Sequence, residues 1–163
     1  TSISTSHPNG KVYIEPSYNN RFALDLAAGS LANGTSIQLW EKMPGNINQQ
    51  FFIDCGDSSV NIYPFKSGTD QGNCMYSFSK CVEVAGLSMS NHGTIVSWDR
   101  WNGANQKWIL MPVIREAGLY IFFNRNSGRC LDVRGGEIAS NGAVIQQYLY
   151  LNQRNQKWRI RNF

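Results

Sequence analysis

The chain has 163 residues, room for one domain with a core of its own. Hydrophobic residues make up 42 % of it and charged residues 16 %, a globular balance that excludes a disordered tail; no apolar run approaches the roughly 20 residues of a membrane-spanning helix. The net charge of +4 is scattered, and only "RNQKWRIR" near the C-terminus is dense, so Arg154, Lys157, Arg159 and Arg161 read as solvated strand edges rather than a nucleic-acid face.

The first segment, "TSISTSHPNG" at 1–10, is polar, lacks the apolar centre of a signal peptide, and reads as the end of a linker. The chain is therefore expected to be a mature protein or an excised domain. From Lys11 onward the sequence repeats itself three times, over about 11–56, 57–115 and 116–163. The first repeat runs through an alternating stretch Lys11–Glu15, then "FALDLAAG" at 22–29, "NGTSIQLW" at 33–40 and "NQQFFI" at 48–53. The second has Val60–Pro64, an insertion Lys66–Lys80, then "KCVEVAG" at 80–86, "HGTIVSWD" at 92–99 and "NQKWIL" at 105–110. The third has Leu119–Phe123, "RCLDVRGG" at 129–136, "NGAVIQQY" at 141–148 and "NQKWRI" at 155–160.

Each block is short, alternating and bounded by Gly, Asn or Ser, which is the pattern of strands and tight turns; none holds a helical period over three turns. Asn33-Gly34, His92-Gly93 and Asn141-Gly142 occupy one position of the repeat and suit turns that need positive φ. The prediction is all-β, with four short strands in each repeat and about twelve in all. One such unit cannot bury its own apolar face, so the three share a core, and closure about a threefold pseudo-axis removes open sheet edges.

Cysteines stand at 55, 74, 81 and 130. Their even number and the sparse charge suit a secreted protein with up to two disulfides. Cys74 has local partners in Cys55 and Cys81, and the sequence leaves the pairing open. There is no CxxC pair and no His at ligand spacing, so neither a metal nor another cofactor is expected.

Strand alternation separates core from site. Leu24 and Leu26 face one side and Asp25 the other; Val82 and Val84 flank Glu83, and Leu131 and Val133 flank Asp132, in the same way. In the next strand Gln38 and Trp40 face out together, as do Gln146 and Tyr148. Aromatic, amide and carboxylate thus meet on the solvent side. A sugar fits that combination: its C–H face stacks on a ring, and its hydroxyls donate to the carboxylate and exchange bonds with the amides. Phe51, Trp108 and Trp158, one per repeat, are expected in the core around the axis. Asn48, Asn105 and Asn155 stand just before them, within reach of the site.

The threefold Gln-x-Trp signature in this internal order resembles the ricin-B-type β-trefoil lectins, from about Lys11 to Phe163. The resemblance implies a single β-trefoil domain and carbohydrate binding without catalysis. It implies sugar-binding residues Asp25, Gln38, Trp40, Asn48 and Gln49 in the first repeat and Asp132, Gln146, Tyr148, Asn155 and Gln156 in the third. There Asp and Asn hold adjacent hydroxyls, often of galactose or N-acetylgalactosamine; the ring stacks on the sugar; the signature Gln steadies the Asp. Implied partners are galactose-type glycans of glycoproteins or glycolipids. The second repeat departs from the pattern: Glu83 replaces Asp, and counting from the turn places Ser97 at the Gln position and Asp99 at the aromatic one. Its site is therefore expected to be silent or altered, unless Trp98 or Trp101 substitutes for the ring. The family's disulfide has no partner for Cys81 or Cys130.

Two other functions fit the same sequence. The chain would be a targeting domain of a larger secreted glycosidase or toxin, or a trefoil that binds protein through loops such as Lys66–Lys80. An enzyme is not expected, because Asp25, Glu83 and Asp132 fall in separate repeats and glycosidases need paired carboxylates.

Overall fold

The computed structural model describes residues 7–56, 58–73 and 75–163. It contains fourteen strands and six single turns of 3-10 helix. The first repeat supplies β1 (Gly10–Pro16), β2 (Phe22–Leu26), β3 (Thr35–Glu41) and β4 (Phe51–Ile53). The second supplies β5 (Ile62–Pro64), β6 (Gly68–Gly72), β7 (Met75–Phe78), β8 (Lys80–Val84), β9 (Gly93–Asp99) and β10 (Trp108–Pro112). The third supplies β11 (Leu119–Asn124), β12 (Cys130–Val133), β13 (Ala143–Tyr148) and β14 (Trp158–Asn162).

Six strands form a barrel. β10 pairs with β11, β11 with β14, β14 with β1, β1 with β4 and β4 with β5; an isolated bridge between Val60 and Trp108 closes the ring. The other three pairs, β2–β3, β8–β9 and β12–β13, are hairpins. Their tips meet in a triangle through Thr35 opposite Ser97, Gln146 opposite Thr94 and Ala143 opposite Leu39. A barrel capped by three hairpins is the β-trefoil. The two strands beyond the expected twelve, β6 and β7, form a separate hairpin inside the Lys66–Lys80 insertion.

The core joins all three repeats. Leu24, Leu26, Val82, Val84, Leu131 and Val133 lie in one cluster with Phe51, Trp108 and Trp158, all at 0–1 % exposure. The Trp108 indole donates to the Val82 carbonyl (3.1 Å) and Trp158 to that of Leu131 (3.1 Å), tying barrel to hairpin within a repeat. Phe51 fills the same slot without a donor, so bulk is the shared requirement. A second apolar cluster of Tyr63, Phe78 and Cys81, with Phe52 and Phe65 against it, anchors the inserted hairpin.

The dense basic segment is largely neutralised. Arg161 pairs with Glu15, Lys157 with Glu116 (2.6 Å) and Arg154 with Glu137 (2.7 Å). Glu15 is wholly buried and also receives Lys42; burying a carboxylate carries a desolvation cost that pairing with two cations helps to offset.

Candidate functional site: three pockets beside the hairpins

Each hairpin presents a carboxylate opposite the third-block strand. Asp25 lies opposite Gln38, and Asp132 opposite Gln146. The amides close on the carboxylates: Gln38 donates to Asp25 (3.1 Å) and Gln146 to Asp132 (2.9 Å). One hollow is lined by Asp25, Ala28, Gln38, Trp40, Met43 and Asn48, and another by His92, Asp132, Arg134, Gln146, Tyr148 and Asn155. The sequence therefore brought together Asp25, Gln38, Trp40 and Asn48, and likewise Asp132, Gln146, Tyr148 and Asn155.

Two expectations need correction. The carboxylates are not on the open surface: Asp25 is 4 % exposed and Asp132 3 %, so they form pocket floors. Burial raises both above the usual carboxylate range, and the amide donors oppose that rise. Gln49 and Gln156 do not line the hollows. Both are fully buried and brace the loop that follows the aromatic residue.

That brace recurs three times. Gln49 donates to the carbonyl of Glu41 (2.8 Å) and accepts from the N–H of Met43 (2.8 Å). Gln106 does the same to Asp99 (2.9 Å) and Trp101 (3.1 Å), and Gln156 to Leu149 (2.8 Å) and Leu151 (2.8 Å). Gln106 and Gln156 also donate to the carboxylates of Glu83 (2.9 Å) and Asp132 (3.0 Å). An amide that donates and accepts at once fixes both floor and rim.

The strand register overturns the reading of the second repeat. Ala23 faces Trp40, Cys130 faces Tyr148, and Cys81 faces Trp98, not Asp99. Glu83 faces Val96, not Ser97, whose side chain is wholly buried. The offset arises at the turn. Gly34 and Gly142 take left-handed backbone there (φ 87° and 84°), but in the second repeat His92 takes it (φ 72°) and Gly93 belongs to the strand. Gly93 is required for a different reason: a Cβ on it would come within 2.8 Å of the Gln147 amide. Aligning the three glycines therefore misplaces every later residue by one. With the register restored, Trp98 is the aromatic platform, and a third hollow is lined by Glu83, Gly86, Leu87, Trp98, Trp101 and Asn105.

The corrected register also exposes a lock between repeats. The Asn33 side chain accepts the N–H of Asp99 (2.8 Å), Asn91 that of Leu149 (2.9 Å), and Asn141 that of Glu41 (2.7 Å). Each asparagine thus pins the residue just after the platform of another repeat. Asn33 also donates to the Asp99 carboxylate (2.8 Å), which Lys80 and Asn33 together hold below the usual carboxylate range.

Sequence reasoning missed His92 and Arg134. His92 Nδ1 sits 3.0 Å from Gln146 Oε1, its ring lies edge-on to Tyr148 (5.2 Å), and Arg134 donates to the same Gln146 oxygen (2.7 Å). The available signals were a non-glycine in a left-handed turn slot and an Arg one step beyond the Asp132 strand.

Cys81 and Cys130 are fully buried, and burial pushes both thiols up to about 12. Among the described residues no disulfide forms, and Cys74 lies outside them. Among the described residues, no group of three or more His, Cys, Asp or Glu is placed to hold a metal.

The family model described as ricin-type beta-trefoil lectin domain-like matches residues 47–148 and 104–163. This chain belongs to that family. The designed threefold-symmetric protein ThreeFoil is 26 % identical, with a TM-score of 0.80 over 95 % of this chain and 100 % of its own. An exo-β-1,3-galactanase from Clostridium thermocellum is 24 % identical, with a TM-score of 0.80 over 96 % of this chain but only 31 % of its own. A Macrolepiota procera ricin B-like lectin, solved with lactose, is 15 % identical, with a TM-score of 0.74 over 98 % of this chain and 100 % of its own. The last two likenesses are of fold. A search of the curated proteins finds no match.

Proposed function

We propose that the chain is a lectin that binds galactose-configured glycans, without catalysis, through the pockets of the first and third repeats, with the second-repeat hollow as an additional site. The observation that carries this reading is the pairing of one aromatic platform with one buried, amide-braced carboxylate in each pocket: Trp40 with Asp25 and Tyr148 with Asp132. A carboxylate whose lone pairs are partly held by Gln has its remaining acceptor capacity fixed in direction, which suits two neighbouring sugar hydroxyls and disfavours an epimer. Asn48 and Asn155 stand beside it as donors and acceptors. The Macrolepiota lectin's lactose complex supports a galactose-type ligand for this fold.

Open pockets of this kind bind weakly, with Kd on the order of 0.1–1 mM, about 4–5.5 kcal/mol. Several on one rigid body raise avidity for clustered glycans. Such glycans decorate cell-surface glycoproteins and glycolipids, so the same reading puts the protein outside the cell, with 11–163 as the binding domain and 1–10 as a linker or N-terminal extension. A targeting role within a longer protein is a second reading, favoured by the galactanase, in which this fold is under a third of the length.

Titration with lactose, followed by NMR on the wild type and on Asp25→Ala and Asp132→Ala, tests the proposal. Each variant should lose the shifts of its own pocket and keep those of the other. Identical shifts in all three proteins would remove both pockets.

A further inference from the structure

The second-repeat pocket differs from the other two in chemistry rather than in frame, and the difference reaches beyond sugars. We propose that this hollow also binds N-methylated ammonium cations, with a trimethylammonium group held between two indoles and the Glu83 carboxylate.

The first observation is an uncompensated carboxylate. Glu83 is 4 % exposed, and its Oε1 receives both the Gln106 amide (2.9 Å) and the Trp101 indole N–H (3.4 Å). Its Oε2 has no hydrogen-bond partner among the described residues; Val96 stands opposite, where Gln38 and Gln146 supply a donor in the other repeats. That oxygen is not sealed in. The unpartnered side-chain atoms closed to solvent are Ser97 Oγ and Asn105 Oδ1, and Glu83 lines the hollow. No Lys, Arg or His shares the lining with it. The third pocket, by contrast, carries its own Arg134 and His92, and the second repeat has Ala85 in the place of Arg134. Burial raises the Glu83 carboxyl above the usual carboxylate range, outweighing the Gln106, Trp101 and Asn105 side chains around it. A buried negative charge of this kind is stabilised by a cation that comes to it.

The second observation is the wall. Trp98 is the diagonal neighbour of Glu83 across the hairpin, 40 % exposed, and Trp101 is 52 % exposed; both line the hollow. Trp101 stands where the first and third repeats have Met43 and Leu151, because Gln106 receives its N–H as Gln49 and Gln156 receive theirs. The second pocket therefore has two indoles where the first has one. Trp101 is firmly seated, since a Cβ on Gly103 would come within 2.1 Å of its ring. Leu87 (φ 57°) adds an apolar side chain at a left-handed turn position that Gly29 and Gly136 hold in the other repeats.

This lining selects the type of cation. An indole face attracts a positive charge within about 6 Å, and here two faces stand beside a carboxylate. A primary ammonium brings three N–H donors, but the open acceptor in the wall is Glu83 Oε2, so the others would be desolvated without partners. A trimethylammonium group has no N–H to satisfy, and its methyl groups pack against Leu87 and the rings.

Choline, phosphocholine, ethanolamine and 3,3-dimethylbutan-1-ol, the neutral isostere of choline, are titrated at constant ionic strength while the Trp98 and Trp101 indole N–H signals are followed by NMR. Choline is expected to bind about tenfold more tightly than either ethanolamine or the neutral isostere. Phosphocholine separates the sources of the group: binding as tight as choline's supports a lipid headgroup, weaker binding supports a free or side-chain cation, and the site stands in both cases. Glu83→Gln, which removes the charge and keeps the shape, should weaken choline binding about tenfold. Trp101→Leu, which installs the residue of the third repeat, should weaken it about fivefold and serves if the first variant does not fold. Equal affinity for choline and its isostere, indoles unmoved by choline, or unchanged affinity in a folded variant would overturn the site. Choline binding by a protein in which no sugar moves Trp40 would leave the site standing and remove the lectin reading instead.

Discussion

The third-repeat and second-repeat pockets share a backbone plan but not a surface. In the third, Asp132 is gripped by Gln146, Gln156 and Asn155, with Arg134 and His92 crowding the Gln146 oxygen. In the second, Glu83 is held by Gln106 and Trp101, faces Val96, and looks onto indoles and a leucine. What the two have in common, the glutamine brace and the asparagine lock, involves backbone groups. What differs is side chain facing the hollow. The frame is thus set by contacts that any sequence with Gln and Asn at those positions can make, leaving the pocket lining free to vary without loss of the fold.

If frame and lining are separable, damage to the frame should be the larger. Trp158→Ala empties the shared core slot and is expected to cost about 3–5 kcal/mol, lowering Tm by roughly 10 °C, whereas Trp158→Phe should cost only about 1 kcal/mol because Phe51 already fills that slot in the first repeat. Thermal denaturation of the two variants checks the contrast, and similar losses in both would mean that the indole hydrogen bond, not bulk, defines the slot.

Acidification should act next, and on the lining. Burial raises the pKa of Asp25 and Asp132, so each takes up a proton at a higher pH than an ordinary aspartate. A protonated carboxyl accepts fewer bonds from sugar hydroxyls. Binding by the first and third pockets should therefore hold at neutral pH and fall away in mild acid, with a midpoint above the usual Asp value. Stability follows the opposite sign: because the folded state binds these protons more readily than the unfolded chain, the two groups favour folding as pH falls. Calorimetric titration with lactose from pH 7 downward, alongside Tm over the same range, separates the two effects. Binding retained down to the pH where an ordinary aspartate titrates would contradict the buried-floor geometry.

The smallest expected effect tests the lock. The Asn91 side chain makes no hydrogen bond to a group lining the pocket; it accepts from Arg129 and fixes the loop after Tyr148. Asn91→Ala should weaken binding at the third pocket by about threefold to tenfold, the worth of roughly one hydrogen bond, and leave the first unchanged. The residue lies in the second repeat, so a loss confined to the third pocket would demonstrate coupling across the triangle of hairpin tips.

Much of this was legible in the chain because it depends on local periodicity. The flanking of Asp25 by Leu24 and Leu26, and of Asp132 by Leu131 and Val133, assigns core and site faces without reference to any partner strand: the four apolar residues lie in the core, and the two carboxylates line the hollows, although as buried floors rather than on the open surface. The Gln-x-Trp aromatics were legible for the same reason. Where the reading slipped, in the second repeat, it relied on a glycine as a ruler. His92, not Gly93, carries the left-handed turn, and a shift of one residue transfers every side chain of a strand to the other face.

The residue alternation, the turn-forming Asn and Gly, and the threefold recurrence were enough to determine an all-β trefoil with its core and its candidate carboxylates, since each is a property of neighbours along the chain. Tertiary structure alone decided that Trp98 is a platform, that His92 and Arg134 enter the third pocket, and that Asn33, Asn91 and Asn141 lock one repeat to another. Those facts depend on which strands pair and in what register, and pairing is fixed by contacts between residues far apart in the chain, such as Asn141 with Glu41, 100 positions away.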